Sequence, residues 1–226
     1  YRLAIDNLIH AKGFFGNGDL FSLNIKNLNK KEIPIWEGIK GAAPFFSIVT
    51  ELAIQTFENF PIQVFEGFVD DKELKELIAI SEKLPENFSF QFIFSDKIYI
   101  YMVGELKTGE DKILAKKYFS IFQRFSLLNN KIYKNLNQIN FFPRELNIFE
   151  LNANFHSEVI SLLGKSLKGN ELEFVKELKE INNAKPNKAC YVAMQQLGDK
   201  SMLENKYSSF FIHRDSCWKP WIFASW

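Results

Sequence analysis

Residues 38–51, Gly-Ile-Lys-Gly-Ala-Ala-Pro-Phe-Phe-Ser-Ile-Val-Thr-Glu, carry the pattern best suited to binding chemistry. Gly38, Gly41, Ala42 and Ala43 leave little side chain, so main chain can come close to another backbone or to a ligand. Ile48, Val49, Thr50, Leu52 and Ile54 then read as a buried strand. A small-residue turn feeding such a strand suits a flat or phosphorylated ligand lying against main chain. A plain tight turn before a core strand has the same signature. His213-Arg214 can anchor a strand end through hydrogen bonds. Trp218, Trp221 and Trp226 fit core packing or an aromatic platform for a sugar. Cys190 and Cys217 lack CxxC spacing and a nearby paired His, which argues against zinc; one bridge between them is open in an oxidising compartment.

Composition narrows the classes. The chain has 226 residues, enough for one large domain or two small ones. Hydrophobic residues make up 46% and charged residues 24%, ordinary for a soluble, well-packed protein. A net charge of +1 argues against a nucleic-acid partner, which needs a clustered positive excess. No apolar run is long enough to span a membrane. The chain opens on Tyr1-Arg2-Leu3 without a leader and closes on Ser225-Trp226 straight after an aromatic run, so a piece cut from a longer protein is expected.

The elements that must position these residues follow from periodicity. Asn17-Gly18-Asp19 predicts a hairpin over Leu8 to Leu23. A short helix is expected over Glu32 to Lys40 around Trp36, and a boundary at Pro61. Beyond it come a strand over Ile62 to Val69 and a helix capped by Asp70-Asp71 through Leu84. Phe88, Phe90, Phe92 and Phe94 alternate with polar residues and predict a strand, paired antiparallel with Lys97 to Leu106 across Ser95-Asp96. Helices are expected over Glu110 to Leu128 and Glu171 to Ile181, with Asn129 to Leu151 poorly periodic. Strands over Ala189–Gln195, Ser208–His213 and Trp218–Ala224 close the chain. The expected class is α+β, an antiparallel sheet with helices on one face.

Three blocks of residues occur in a familiar order. The first is Tyr1, Leu3, Ala4, Asp6 and Asn7, followed by Gly16-Asn17-Gly18-Asp19. The second is Trp36, Ile39, Lys40, Gly41, Ala42, Phe46, Ile48, Val49, Thr50 and Glu51. The third is Gly198, Phe211, His213, Arg214 and Trp226. Together they resemble the berberine-bridge-enzyme-like group of FAD-linked oxidases, in the vanillyl-alcohol-oxidase class. Arg2 and Ser47 replace glycines of the family pattern, and Ile212 replaces a proline. The family's pyrophosphate loop and flavin-attaching His and Cys would lie upstream of Tyr1.

The resemblance implies that residues 1–57 are the C-terminal part of a PCMH-type FAD-binding domain. Residues 58–226 would be the substrate-binding domain, an antiparallel sheet covered by helices. It implies FAD as cofactor, with Ala4, Ile5, Asn7, Gly41, Phe46, Ile48, Val49 and Thr50 on the cofactor side. It implies hydride transfer from an alcohol, sugar or similar small molecule to flavin. Glu204 is the carboxylate nearest the family's base, Tyr207 a second candidate base, and Lys219 matches a lysine that faces flavin in plant relatives. Metal is not called for. Family members are often secreted, and Asn87-Phe88-Ser89 is a glycosylation sequon, so an extracellular or secretory location is expected. Two other readings stay open: a non-catalytic relative that has lost flavin and serves binding, and a plain α+β interaction module.

Overall fold

The computed structural model describes residues 3–85, 87–125, 128–134, 138, 156–197, 209–211 and 213–226. The chain divides into two compact units, Tyr1–Glu58 with Asp199–Asp215, and Asn59–Gly198 with Ser216–Trp226. Sequence order alone does not reveal that residues 199–215 join the first unit.

In the first unit a 3-10 turn at Ala4–Asn7 leads into β1 (Leu8–Phe15) and β2 (Leu20–Asn24). The Asn-Gly signal forms the predicted hairpin: Gly18 takes φ +89°, and the Asn17 side chain accepts from the Asp19 amide at 3.1 Å. Helix α1 (Glu32–Ala42) leaves helical geometry at Lys40 and Gly41, and a second 3-10 turn, Ala43–Phe45, delivers the chain to β3 (Ser47–Ile54). The sheet order is β2-β1-β3, antiparallel throughout. Trp36 of α1 is fully buried against Leu8, Ala11, Phe21, Leu23 and Ile39. The expectation that β3 is a buried strand fails. It is an edge strand, with Ile48 71%, Leu52 53% and Ile54 46% exposed. A β-branched run specifies extended backbone, but burial depends on what packs above and below.

The second unit holds β4 (Ile62–Val69), α2 (Asp71–Ser81), β5 (Phe88–Phe94), β6 (Ile98–Glu105) and α3 (Gly109–Phe122). It continues with β7 (Leu128–Tyr133), β8 (Ser157–Ser161), α4 (Glu171–Asn183), β9 (Tyr191–Gln196) and β10 (Trp218–Ser225). Capping boxes start α2 at Asp70/Glu73 and α3 at Thr108/Asp111. One antiparallel sheet runs β7-β4-β6-β5-β9-β10-β8. Its period-two pattern sends Phe65, Phe90, Phe92, Ile100, Met102 and Trp218 to one face, where α2, α3 and α4 pack through residues such as Leu77, Phe119, Phe122 and Leu178. This is the expected α+β arrangement.

Three local expectations change. Helix α3 stops at Phe122, not Leu128: Phe125 turns back onto the core beside Phe122, with ring centroids 6.3 Å apart. β7 and β8 lie in or just after the segment read as aperiodic, because sheet edges accept residues of low strand propensity when a neighbour supplies the ladder. Ser209–Phe211 and His213 form no strand; Ser208 and Ile212 lie outside the described residues.

Candidate functional site

The sheet of the second unit has another face, turned away from its helices. Its strand registers align one residue from each of six strands: Asn129, Glu66, Tyr101, Gln91, Gln195 and Lys219, in spatial order. Directly opposed residues of antiparallel strands point to the same face, so these side chains form one polar row. Five strand spacings make it about 24 Å long. The adjoining row is apolar and aromatic: Phe68, Tyr99, Ile93, Ala193 and Trp221. Tyr191 and Phe223 stack beyond it, with centroids 5.0 Å apart and planes at 12°.

The two ends of the polar row differ. At one end the Tyr99 hydroxyl donates to Glu66 Oε2 at 2.7 Å, and Tyr101 is buried beside the same carboxylate. Burial, then the charge of Glu66 and the proximity of Tyr133, push the Tyr101 phenol well above its ordinary value. At the other end Gln91, Gln195, Lys219 and Trp221 are half-buried. The Lys219 ammonium lies 4.8 Å from the centroid of the Trp221 ring, a cation–π contact between residues on the same face of β10. Amides, an ammonium and an indole face together can hydrogen-bond hydroxyls and stack against a ring edge. A carboxylate beside phenols can accept a proton.

Of the residues selected from sequence for catalysis, Lys219 belongs to this row; Glu204 and Tyr207 lie outside the described residues. Glu66, Tyr99, Tyr101, Gln91 and Gln195 were missed. Alternation within each strand could have assigned them to one face, but the register that lines them up is a tertiary property.

The residues expected on the cofactor side all lie in the first unit. Ala4, Ile5 and Asn7 share the 3-10 turn, with Asn7 Nδ2 donating to the Leu3 carbonyl at 3.2 Å. Phe46 precedes β3, and Ile48, Val49 and Thr50 lie at its start. The Asn7 carbonyl accepts from the Gln55 amide at 2.7 Å, so the first group borders the far end of β3 from the second. Seven residues of strand separate Ile48 from Gln55, about 23 Å. A ligand touching both groups must be long and extended.

Gly41 does allow a close backbone approach, and the partner is protein. A Cβ there would come within 2.8 Å of the Phe211 amide nitrogen and 2.9 Å of the Phe210 carbonyl carbon. That segment is held by Arg214, whose guanidinium donates to both Asp6 oxygens at 2.7 and 2.8 Å and to Ser209 Oγ at 3.1 Å. Arg214 therefore anchors the chain as its sequence context suggested, without a strand.

Cys190 and Cys217 are not joined by a disulfide, and the described residues contain no cluster suited to a metal ion. No helix of the described residues is long and apolar enough to cross a membrane. The sequon residue Asn87 donates through its amide nitrogen to Asp111 Oδ1 at 2.9 Å.

No protein-family model matches the chain, and no curated protein matches it. Solved structures do. Chitooligosaccharide oxidase aligns with 98% of this chain and 50% of its own, at 17% identity and TM-score 0.70. BBE-like 1 of Physcomitrella patens aligns over 98% and 50%, at 18% identity and TM-score 0.67. Xylooligosaccharide oxidase from Myceliophthora thermophila, solved with xylobiose, aligns over 97% and 50%, at 12% identity and TM-score 0.67. The chain thus spans about half the length of the solved structures it matches. The likeness bears out the resemblance read from the sequence at the level of fold, which this chain shares with one half of these proteins.

Proposed function

We propose that this chain is the substrate-facing half of an FAD-linked oxidoreductase acting on a hydroxylated small molecule of the sugar or alcohol class. The observation that carries the reading is the polar row bordered by an aromatic row on the helix-free face of the second unit's sheet. The solved oligosaccharide oxidases with this fold support the substrate class. The first unit suits an extended dinucleotide in part. It offers exposed edge main chain and apolar side chains at Phe45 and Ile48, with a second contact group at the far end of β3. Bound FAD would supply the hydride acceptor. Gln91 and Gln195 hydrogen-bond substrate hydroxyls, Lys219 donates to an oxygen, Trp221 stacks against a ring edge, and Glu66 takes up a proton while Tyr99 orients its carboxylate. Resemblance and the sequon support a secretory location.

The test uses the whole natural protein and a panel of mono-, oligosaccharides and primary alcohols. Gln195→Ala is expected to raise KM roughly 10-fold for its preferred substrate, the cost of one or two hydrogen bonds. Glu66→Gln is expected to lower kcat more than it raises KM. Unchanged kinetics in both variants would overturn the assignment of this face.

A further inference from the structure

We propose a second reactive site, on the outer face of the first unit's sheet, that cleaves esters of apolar acyl groups. Ser22 is its nucleophile, His10 the base, and Glu51 the carboxylate that positions the base. The three come from three strands: Ser22 from β2, His10 from β1 and Glu51 from β3. His10 Nε2 lies 3.1 Å from Ser22 Oγ, and His10 Nδ1 lies 3.8 Å from Glu51 Oε1. A carboxylate on the Nδ1 side favours the tautomer that carries its proton there, which leaves Nε2 to accept from the Ser22 hydroxyl. The same charge stabilises the imidazolium formed when that proton moves. The His10 side chain is 17% exposed, so water screens these contacts only in part.

The sheet register supplies the remaining parts. Lys12 of β1 stands opposite Ser22 on one side and Glu51 on the other. Its ammonium donates to the two Glu51 oxygens at 3.0 and 3.1 Å. Those bonds fix the carboxylate and leave a third N–H for a negative oxygen developing beside Ser22. Two residues further along β1 and β2, about 7 Å away, Phe14 and Leu20 form the next row of this face. Ile48 joins them opposite Phe14, because the register shift between Lys12 and Gly13 leaves Thr50 without an opposite residue in β1. Leu20, Phe14 and Ile48 are 75%, 42% and 71% exposed, an apolar strip beside the hydroxyl. Burial of such a strip favours the hydrocarbon chain of an acyl group over a polar one.

The step is an acyl transfer. Ser22 Oγ bonds to the carbonyl carbon as its proton passes to His10 Nε2. The ester carbon–oxygen bond breaks, and the leaving alcohol takes that proton. Water then repeats the sequence on the acylated serine and releases the carboxylic acid. No flavin takes part, so a protein without that cofactor would leave the proposal standing.

The whole natural protein is treated with a fluorophosphonate probe, mapped by mass spectrometry, and assayed with p-nitrophenyl acetate and p-nitrophenyl octanoate. Labelling at Ser22 is expected, with the octanoate ester cleaved at the higher kcat/KM. Ser22→Ala and His10→Gln should each lower kcat/KM roughly 100-fold or more. Glu51→Gln should lower kcat roughly 10-fold with KM unchanged, since Glu51 acts through His10 and not on substrate. Absence of label at Ser22, absence of ester cleavage, or cleavage that survives Ser22→Ala would overturn the proposal. The labelling needs no variant, so a misfolded mutant cannot decide the outcome.

Discussion

At position 41 even one methyl group is too large. Its Cβ would meet backbone atoms of Phe210 and Phe211 within 3.0 Å, and backbone cannot swing aside as a side chain can. Gly41→Ala is expected to cost about 1–3 kcal/mol from overpacking. That exceeds the roughly 0.4–1 kcal/mol gained by restricting the unfolded chain. Urea unfolding monitored by fluorescence checks the sign. The Asp6–Arg214 pair is the charge counterpart. Asp6 is completely buried at its side chain and Arg214 13% exposed, so removing the carboxylate leaves a poorly solvated guanidinium. Asp6→Ala is expected to cost about 3–5 kcal/mol in the same assay. Ser209 and the Phe211 ring, 5.5 Å from the guanidinium, soften the loss towards the lower end. Tyr101 governs behaviour in alkali. Its phenol is held above the ordinary value near 10, chiefly by burial and then by Glu66, whereas the unfolded chain ionises near 10. Its contribution to stability is therefore complete below about pH 10 and is lost as pH rises through the folded-state value. Tyr101→Phe should flatten the fall in Tm between about pH 10 and 11, read by thermal melts across that range.

Among the elements, β10 is fixed at its start by one carboxylate. Glu82, just beyond α2, accepts from Trp218 Nε1 and the Leu167 amide, both at 2.6 Å, and from Ser166 Oγ. Trp218 is 1% exposed, and its neighbour Lys219 faces the opposite side of the sheet. Glu82→Ala leaves a buried indole N–H without this acceptor and is expected to cost about 1–3 kcal/mol, measurable by thermal melting. It also loosens the strand that carries Lys219 and Trp221. The elements themselves were largely legible: the Asn17-Gly18 turn, the Asp70 cap and the Phe88–Phe94 alternation each encode local geometry in local residues. β7 and β8 were not, because Asn129, Asn130 and Ser157 become strand only through ladders made by β4 and β10. The polar row escaped for a related reason. Glu66, Gln91 and Gln195 are unremarkable polar residues within their strands, and the hydrogen-bonded register that joins them depends on the order β7-β4-β6-β5-β9-β10, which no local pattern records.

At the scale of the molecule, two compact units accompany two kinds of surface. The first carries small residues, a long apolar edge and the segment anchored by Arg214; the second carries a broad sheet with helices on one face and the polar and aromatic rows on the other, where Ile93, Tyr99 and Tyr101 are buried. The ordered motif blocks made the fold accessible from sequence, since their spacing spans nearly the whole chain. The catalytic assignment was less accessible, because it depends on which side chains share a face. The proposed flavin-linked oxidation makes one direct demand on the whole protein. The most direct measurement is the visible absorption spectrum of the whole protein purified from its native source, followed by mass identification of any chromophore. A flavin spectrum and FAD, released on denaturation or retained on the polypeptide, are expected. A colourless protein would contradict flavin-linked oxidation.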